Sequence, residues 1–122
     1  NDSIAVLKAN FRYSFWDVKN GKLLLDNLSD YWEYKTPSAV YYKVFKGIGY
    51  GIWNPDQGMI LGSTFSELEI RSKGNIVVFI TEKWVEEADL VIMIYYDKEG
   101  NLIRKSVLST KQYEELQCPS EY

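Results

Sequence analysis

Two kinds of apolar pattern alternate along this chain. The clearest lies between Asn75 and Leu108. There Ile76–Ile80 and Leu90–Tyr96 form short apolar runs, rich in β-branched and aromatic residues and bounded by polar breakers. Such runs predict buried strands rather than helices. Lys98-Glu99-Gly100-Asn101 supplies a turn, so Leu90–Tyr96 and Leu102–Leu108 are expected to pair as an antiparallel hairpin. Upstream, Met59–Phe65 reads as a further strand, entered through the turn Asn54-Pro55-Asp56-Gln57-Gly58. Ser66–Ile70 extends it through a bulge, and Lys73-Gly74-Asn75 makes another turn.

The N-terminal third reads differently. Ile4, Leu7, Phe11, Phe15 and Val18 are spaced by 3, 4, 4 and 3, one face of a helix, with Asp2 or Ser3 as N-cap and Asn20-Gly21 as its stop. A hairpin is the rival reading, because Phe11, Tyr13 and Phe15 alternate and Asn-Gly favours a type I′ turn. The helix is preferred. Lys22–Leu28 is a short strand or an irregular connection. Thr36-Pro37 predicts a second helix, with Val40, Tyr41, Val44, Phe45 and Ile48 on its apolar face and Gly47 at its end. Ser109 or Thr110 caps a short final helix, Lys111–Gln117.

The sum is a single α+β domain over residues 1–122. N-terminal helices pack on one face of a mainly antiparallel meander sheet of about four or five strands, closed by the C-terminal helix. A chain of 122 residues can bury enough surface for this without metals or disulfides.

Composition narrows the function. A formal net charge of −3 argues against a direct nucleic-acid binder, which needs a basic face to displace counterions from phosphates. The aromatic share, 16% with ten Tyr and four Trp, favours a binding surface. One cysteine, Cys118, cannot close an internal disulfide, so a cytoplasmic setting is expected, with an incidental free thiol. No apolar run is long enough to cross a bilayer as a helix, and no membrane role is expected. The absence of histidine removes Ser-His and Cys-His nucleophile pairs and the commonest general base near neutral pH.

Two stretches present themselves as partner-binding surfaces. Thr81 to Asp89, read as a connection between buried strands, carries Glu82, Glu86, Glu87 and Asp89 around Trp84. An aromatic anchor ringed by carboxylates suits a basic protein: Trp supplies buried area and the acids supply steering. The plain alternative is that Trp84 and Val85 turn into the core, leaving the acids as a solvated rim. The second stretch, Asp30-Tyr31-Trp32-Glu33-Tyr34, places aromatics beside acids and suits Lys or Arg through cation–π contact and ion pairing. It too has a structural alternative, with Tyr31 and Tyr34 covering the sheet.

Gly47-Ile48-Gly49-Tyr50-Gly51 lacks the spacing and the closing Lys of a phosphate-cradling loop, so a backbone reason is expected for its glycines. Pro55-Asp56, Glu67, Glu69, Arg71 and Lys73 resemble in outline the pattern of metal-dependent nucleases of the PD-(D/E)xK type. That resemblance implies Mg²⁺ held by Asp56 and Glu69, with a Lys positioning water. The chain departs from it in having Arg71 where the Lys belongs, with Lys73 displaced.

The preferred expectation is a non-enzymatic protein-binding domain without cofactor or metal. In its most specific form it is an inhibitor or immunity-type protein that neutralises a basic, nuclease-like toxin, monomeric or weakly dimeric when free. The nuclease is one alternative. A structural or assembly subunit that dimerises through an exposed sheet edge is the other.

Overall fold

A computed structural model describes residues 3–117; Cys118 and the Asp2 capping position lie outside the described residues. Eleven strands run in sequence as β1 (Ile4–Ala9), β2 (Arg12–Asp17), β3 (Lys22–Leu28), β4 (Asp30–Lys35), β5 (Val40–Lys46), β6 (Gly49–Asn54), β7 (Gly58–Phe65), β8 (Glu67–Lys73), β9 (Ile76–Val85), β10 (Leu90–Asp97) and β11 (Leu102–Ser109). One helix, α1 (Thr110–Gln117), follows. The strands form three antiparallel meanders: β1-β2-β3, β4-β5-β6-β7 and β8-β9-β10-β11. The chain leaves one sheet for the next at a single residue, Ser29 and then Ser66.

The three sheets stack as layers. Phe15 and Leu28 of the first sheet pack on Tyr42, Val44 and Trp53 of the second. On the opposite face of that second sheet, Tyr41, Ile52 and Leu61 pack on Leu68, Val77 and Phe79 of the third. The outer face of the third sheet is capped by α1, whose Tyr113 packs against the cluster of Ile80, Val91 and Met93. Phe15 is the hub of the first interface. Its ring is fully buried and meets Tyr31, Tyr42 and Trp53 edge-on, with centroids at 5.3, 5.0 and 5.1 Å.

This architecture corrects the α+β expectation. Residues 4–17 are a hairpin and not a helix. Of the helical-spacing set, Leu7, Phe11 and Val18 point to solvent, while Val6, Tyr13 and Phe15 face the core with the period of a strand. The second expected helix fails for another reason. Thr36 closes a tight turn, its hydroxyl donating to the Ala39 carbonyl (2.9 Å) and accepting from the Ala39 N–H (3.1 Å), so Val40 starts a strand. Val40–Lys46 looked helical because its strand is buried on both faces, which erases the alternation expected of a half-exposed strand. The expected four- or five-stranded sheet is in fact three sheets. Other elements fall where the pattern put them: the β10–β11 hairpin, the strand over 59–65, the turn at Lys73–Asn75 and the C-terminal helix.

The three alternate glycines have backbone reasons. Gly47 takes a positive φ of 67° in the β5–β6 turn. A Cβ on Gly49 would lie 2.7 Å from the Ser63 carbonyl oxygen, and one on Gly51 would lie 2.6 Å from that of Leu61. Gly51→Ala is therefore expected to destabilise the fold by about 1–3 kcal/mol, read by chemical denaturation, because backbone atoms of β7 must move.

The first hairpin turn is the reverse case. Asn10 and Phe11 both have positive φ, 52° and 63°, as in a type I′ turn, where glycine is preferred at the second position. Phe11 adopts this conformation while 82% exposed. Phe11→Gly is expected to raise stability by about 1 kcal/mol, seen as a higher melting temperature.

Candidate functional site

On β9 the side chains alternate between Val77, Phe79 and Thr81, which face the second sheet, and Val78, Ile80, Glu82 and Trp84, which face α1. Glu82 and Trp84 are thus strand residues and not loop residues. Pairing brings β8 alongside with Glu67 directly opposite Glu82 and Glu69 opposite Ile80. Tyr113 of α1 completes the site. Its ring meets Trp84 edge-on at 4.9 Å, and its hydroxyl donates to Glu82 Oε1 at 2.6 Å. Glu67, Glu69, Glu82, Trp84 and Tyr113, over a floor of Leu68 and Ile80, line a pocket of about 290 Å³.

The helix is held in place from its cap, Ser109, and its first residue, Thr110. Ser109 and Gln112 form a capping box: the Gln112 N–H donates to Ser109 Oγ (3.1 Å) and the Ser109 N–H to Gln112 Oε1 (2.9 Å). Thr110 donates its N–H to the Asp89 carbonyl at 3.1 Å and its hydroxyl to the Asp89 carboxylate. Asp89 is therefore an anchor for α1 and not part of the pocket. Glu86 and Glu87 lie exposed on the one-turn 3₁₀ segment Glu86–Ala88, next along the chain from Trp84.

The pocket has a negative field. Two carboxylates at directly opposed positions repel each other. Among the described residues neither Glu67 nor Glu82 has an ion-pair partner. Glu69 is bound through both oxygens by Arg71, at 2.9 and 3.3 Å, which raises the guanidinium pKa further. Burial pushes the Tyr113 phenol up, and the bond to Glu82 with the charges of Glu67 and Glu69 pushes it further. Two aromatic walls around unneutralised carboxylates suit a guanidinium or ammonium group.

The second stretch is divided by strand alternation. On β4, Tyr31 and Glu33 face the first sheet; Trp32 and Tyr34 face the third. Tyr31 belongs to the core around Phe15, Glu33 accepts from the Tyr42 hydroxyl (3.1 Å), and Tyr34 bonds Ser72 Oγ (3.0 Å). Asp30 Oδ1 accepts from the Tyr31 N–H. The cation that Trp32 was expected to receive is supplied internally: Lys43 Nζ lies 5.2 Å from its ring and 4.5 Å from that of Tyr50. These five residues are split between two faces and form no single common surface.

Asp56 and Glu69 are not brought together. Asp56 sits in the β6–β7 turn, its N–H bonded to Asn54 Oδ1 (2.8 Å), and lines a cleft with Tyr41, Lys98 and Glu99. Glu69 lies in the pocket of the third sheet, and Lys73 is at the far end of β8, opposite Ile76. Among the described residues no three acidic, Cys or His side chains form a group fit to hold a metal ion.

Sequence reasoning missed Tyr113 as a site residue and named Glu67 only within the nuclease-like pattern, not as a partner-binding residue. The alternation Glu67-x-Glu69-x-Arg71 within a strand was a usable signal for Glu67. Nothing local pointed to Tyr113, which arrives by the packing of α1.

Compared with protein-family models, with curated proteins and with solved structures, the chain gives no match. Among the described residues no helix is long and apolar enough to cross a membrane. The fold and site define a layered antiparallel β domain with an acidic, aromatic-walled pocket.

Tyr42, like Tyr113, holds its phenol proton more tightly folded than unfolded: burial and the bond to Glu33 push it from 10.0 up to about 12. A raised folded value means stability is intact below the ordinary phenol value and lost as pH climbs above it. Denaturation at a series of pH values is expected to show a loss of stability from 10.0 toward about 12, shallower in Tyr42→Phe. The same substitution at Tyr113 is expected to act in the same direction.

Proposed function

We propose that the chain is a non-enzymatic protein-binding domain that docks on a basic partner through the acidic pocket of its third sheet. In the most specific form of this reading it is an inhibitor or immunity-type protein that caps the active site of a basic, nuclease-like toxin. The observation that carries it is the opposition of Glu67 and Glu82, unneutralised and walled by Trp84 and Tyr113. A fold that only needed to be stable would gain by replacing one of these acids with a base. An incoming Arg or Lys relieves the same repulsion, stacks on Trp84 and exploits the acids of the next turn, Glu86 and Glu87, for long-range steering. The separation of Asp56 from Glu69 gives the nuclease alternative no support.

The test is binding to the purified product of the neighbouring gene, by calorimetry across a range of salt. Affinity is expected to fall as salt rises, because exposed charges are screened. Trp84→Ala and Glu82→Lys are expected to weaken it by about tenfold or more while far-UV circular dichroism stays unchanged. Absence of association, or an affinity indifferent to both substitutions, would sink the reading.

A further inference from the structure

The pocket accommodates one or two side chains, whereas a stable protein complex covers about 800 Å² on each partner. A partner seated there must cover neighbouring surface. The neighbours are the hairpin tips at the same end of the stacked sheets. Glu82 of the pocket also lines a groove of about 430 Å³ whose other walls include Phe65, Ile92 and Ile48 at the β5–β6 tip. Lys46, two residues before Ile48, lines a cleft of about 590 Å³ together with Asn10 and Arg12, which flank Phe11 at the β1–β2 tip. Trp84, Ile48 and Phe11 therefore follow one another across the third, second and first sheets. With stacked sheets about 10 Å apart, the row spans about 20 Å, within the roughly 30 Å width of a patch of that area.

Neither tip residue serves the fold. Ile48 is 93% exposed and Phe11 is 82% exposed, the latter held in a left-handed conformation that glycine would occupy more comfortably. Their apolar area gains stabilisation only when something outside the chain covers it.

We infer that Phe11 and Ile48 are the apolar anchors of the docking surface whose charged centre is the Glu82 pocket. This rests on the reading above and specifies the partner further. It is a basic protein that places an Arg or Lys opposite Glu82 and offers apolar recesses to the two tips. The charges at this end orient it. Acids lie over the outer face of the third sheet and Lys83 lines the groove between Glu82 and Ile48, whereas Lys8, stacked on Tyr13, and Arg12 flank Phe11 without an ion pair among the described residues. The recess that takes Phe11 is accordingly rimmed by acidic groups.

The experiment uses the full chain and the neighbouring gene's product, comparing wild type, Phe11→Gly, Ile48→Ser and Glu82→Lys. Phe11→Gly is expected to weaken binding by about tenfold or more although its melting temperature rises, a combination that a structural role cannot produce. Ile48→Ser is expected to weaken binding with melting unchanged, and it decides the case should Phe11→Gly perturb the fold. Loss of binding in Glu82→Lys with full affinity in both tip variants overturns this inference alone. No binding by wild type overturns it together with the proposed function. A tip-dependent self-association, or tip-dependent sedimentation with phosphatidylserine vesicles, in a chain whose partner affinity ignores the tips, reassigns them to a second copy or a membrane surface and overturns it as well.

Discussion

The second sheet is apolar on both faces, and the rest of the molecule follows from that. Tyr42, Val44 and Trp53 cannot be left in water on one side, nor Tyr41, Ile52 and Leu61 on the other. Two further sheets are needed to cover them. The aromatic content that looked like a surplus for binding is largely spent here. Phe15 alone meets three aromatic rings, and edge-on pairs of this kind add about 0.5–1.5 kcal/mol each beyond the area they bury.

Covering a sheet on both sides with consecutive pieces of one chain constrains the connections. The chain passes from layer to layer at Ser29 and Ser66, with the Ser29 N–H held by the Phe45 carbonyl at 2.8 Å. Close approach between β6 and β7 requires Gly49 and Gly51. These constraints place the β1–β2, β5–β6 and β9–β10 tips at one end. Loops positioned by a rigid scaffold are where binding residues accumulate, and this end carries the two most exposed large apolar side chains among the described residues, Phe11 and Ile48. It also adjoins the pocket where like charges oppose each other. Local choices that disagree with stability in an otherwise consistent fold are the usual mark of a site.

The third sheet differs from the second in having a helix on its outer face. Because α1 is only eight residues long, it covers Ile80, Val91 and Met93 but leaves the neighbouring β8 side open. That partial cover forms the pocket. Tyr113 links the two, satisfying its hydroxyl with Glu82 while closing the wall opposite β8.

Read alone, the residue order determined the features set by neighbours in the chain. It placed the β10–β11 hairpin, the turns at Asn54–Gly58 and Lys73–Asn75 and the final helix with Ser109 or Thr110 as its cap. It singled out Glu82 and Trp84, but as part of a connection, whereas both lie within β9. It could not determine where each strand's two faces would go. For residues 4–18 the helical spacing of Ile4, Leu7, Phe11, Phe15 and Val18 was coincidental, and the alternation of Tyr13 and Phe15 carried the information. For Val40–Lys46 burial on both faces removed the alternation altogether. The same limit applied to the sites. Asp30–Tyr34 looked like one patch because its residues are adjacent, but adjacent strand residues point to opposite faces. Glu67 met Glu82 only through β8–β9 register, and Tyr113 met Trp84 only through helix packing. The second pair is joined by contacts across some thirty residues of chain, and no local pattern encodes them.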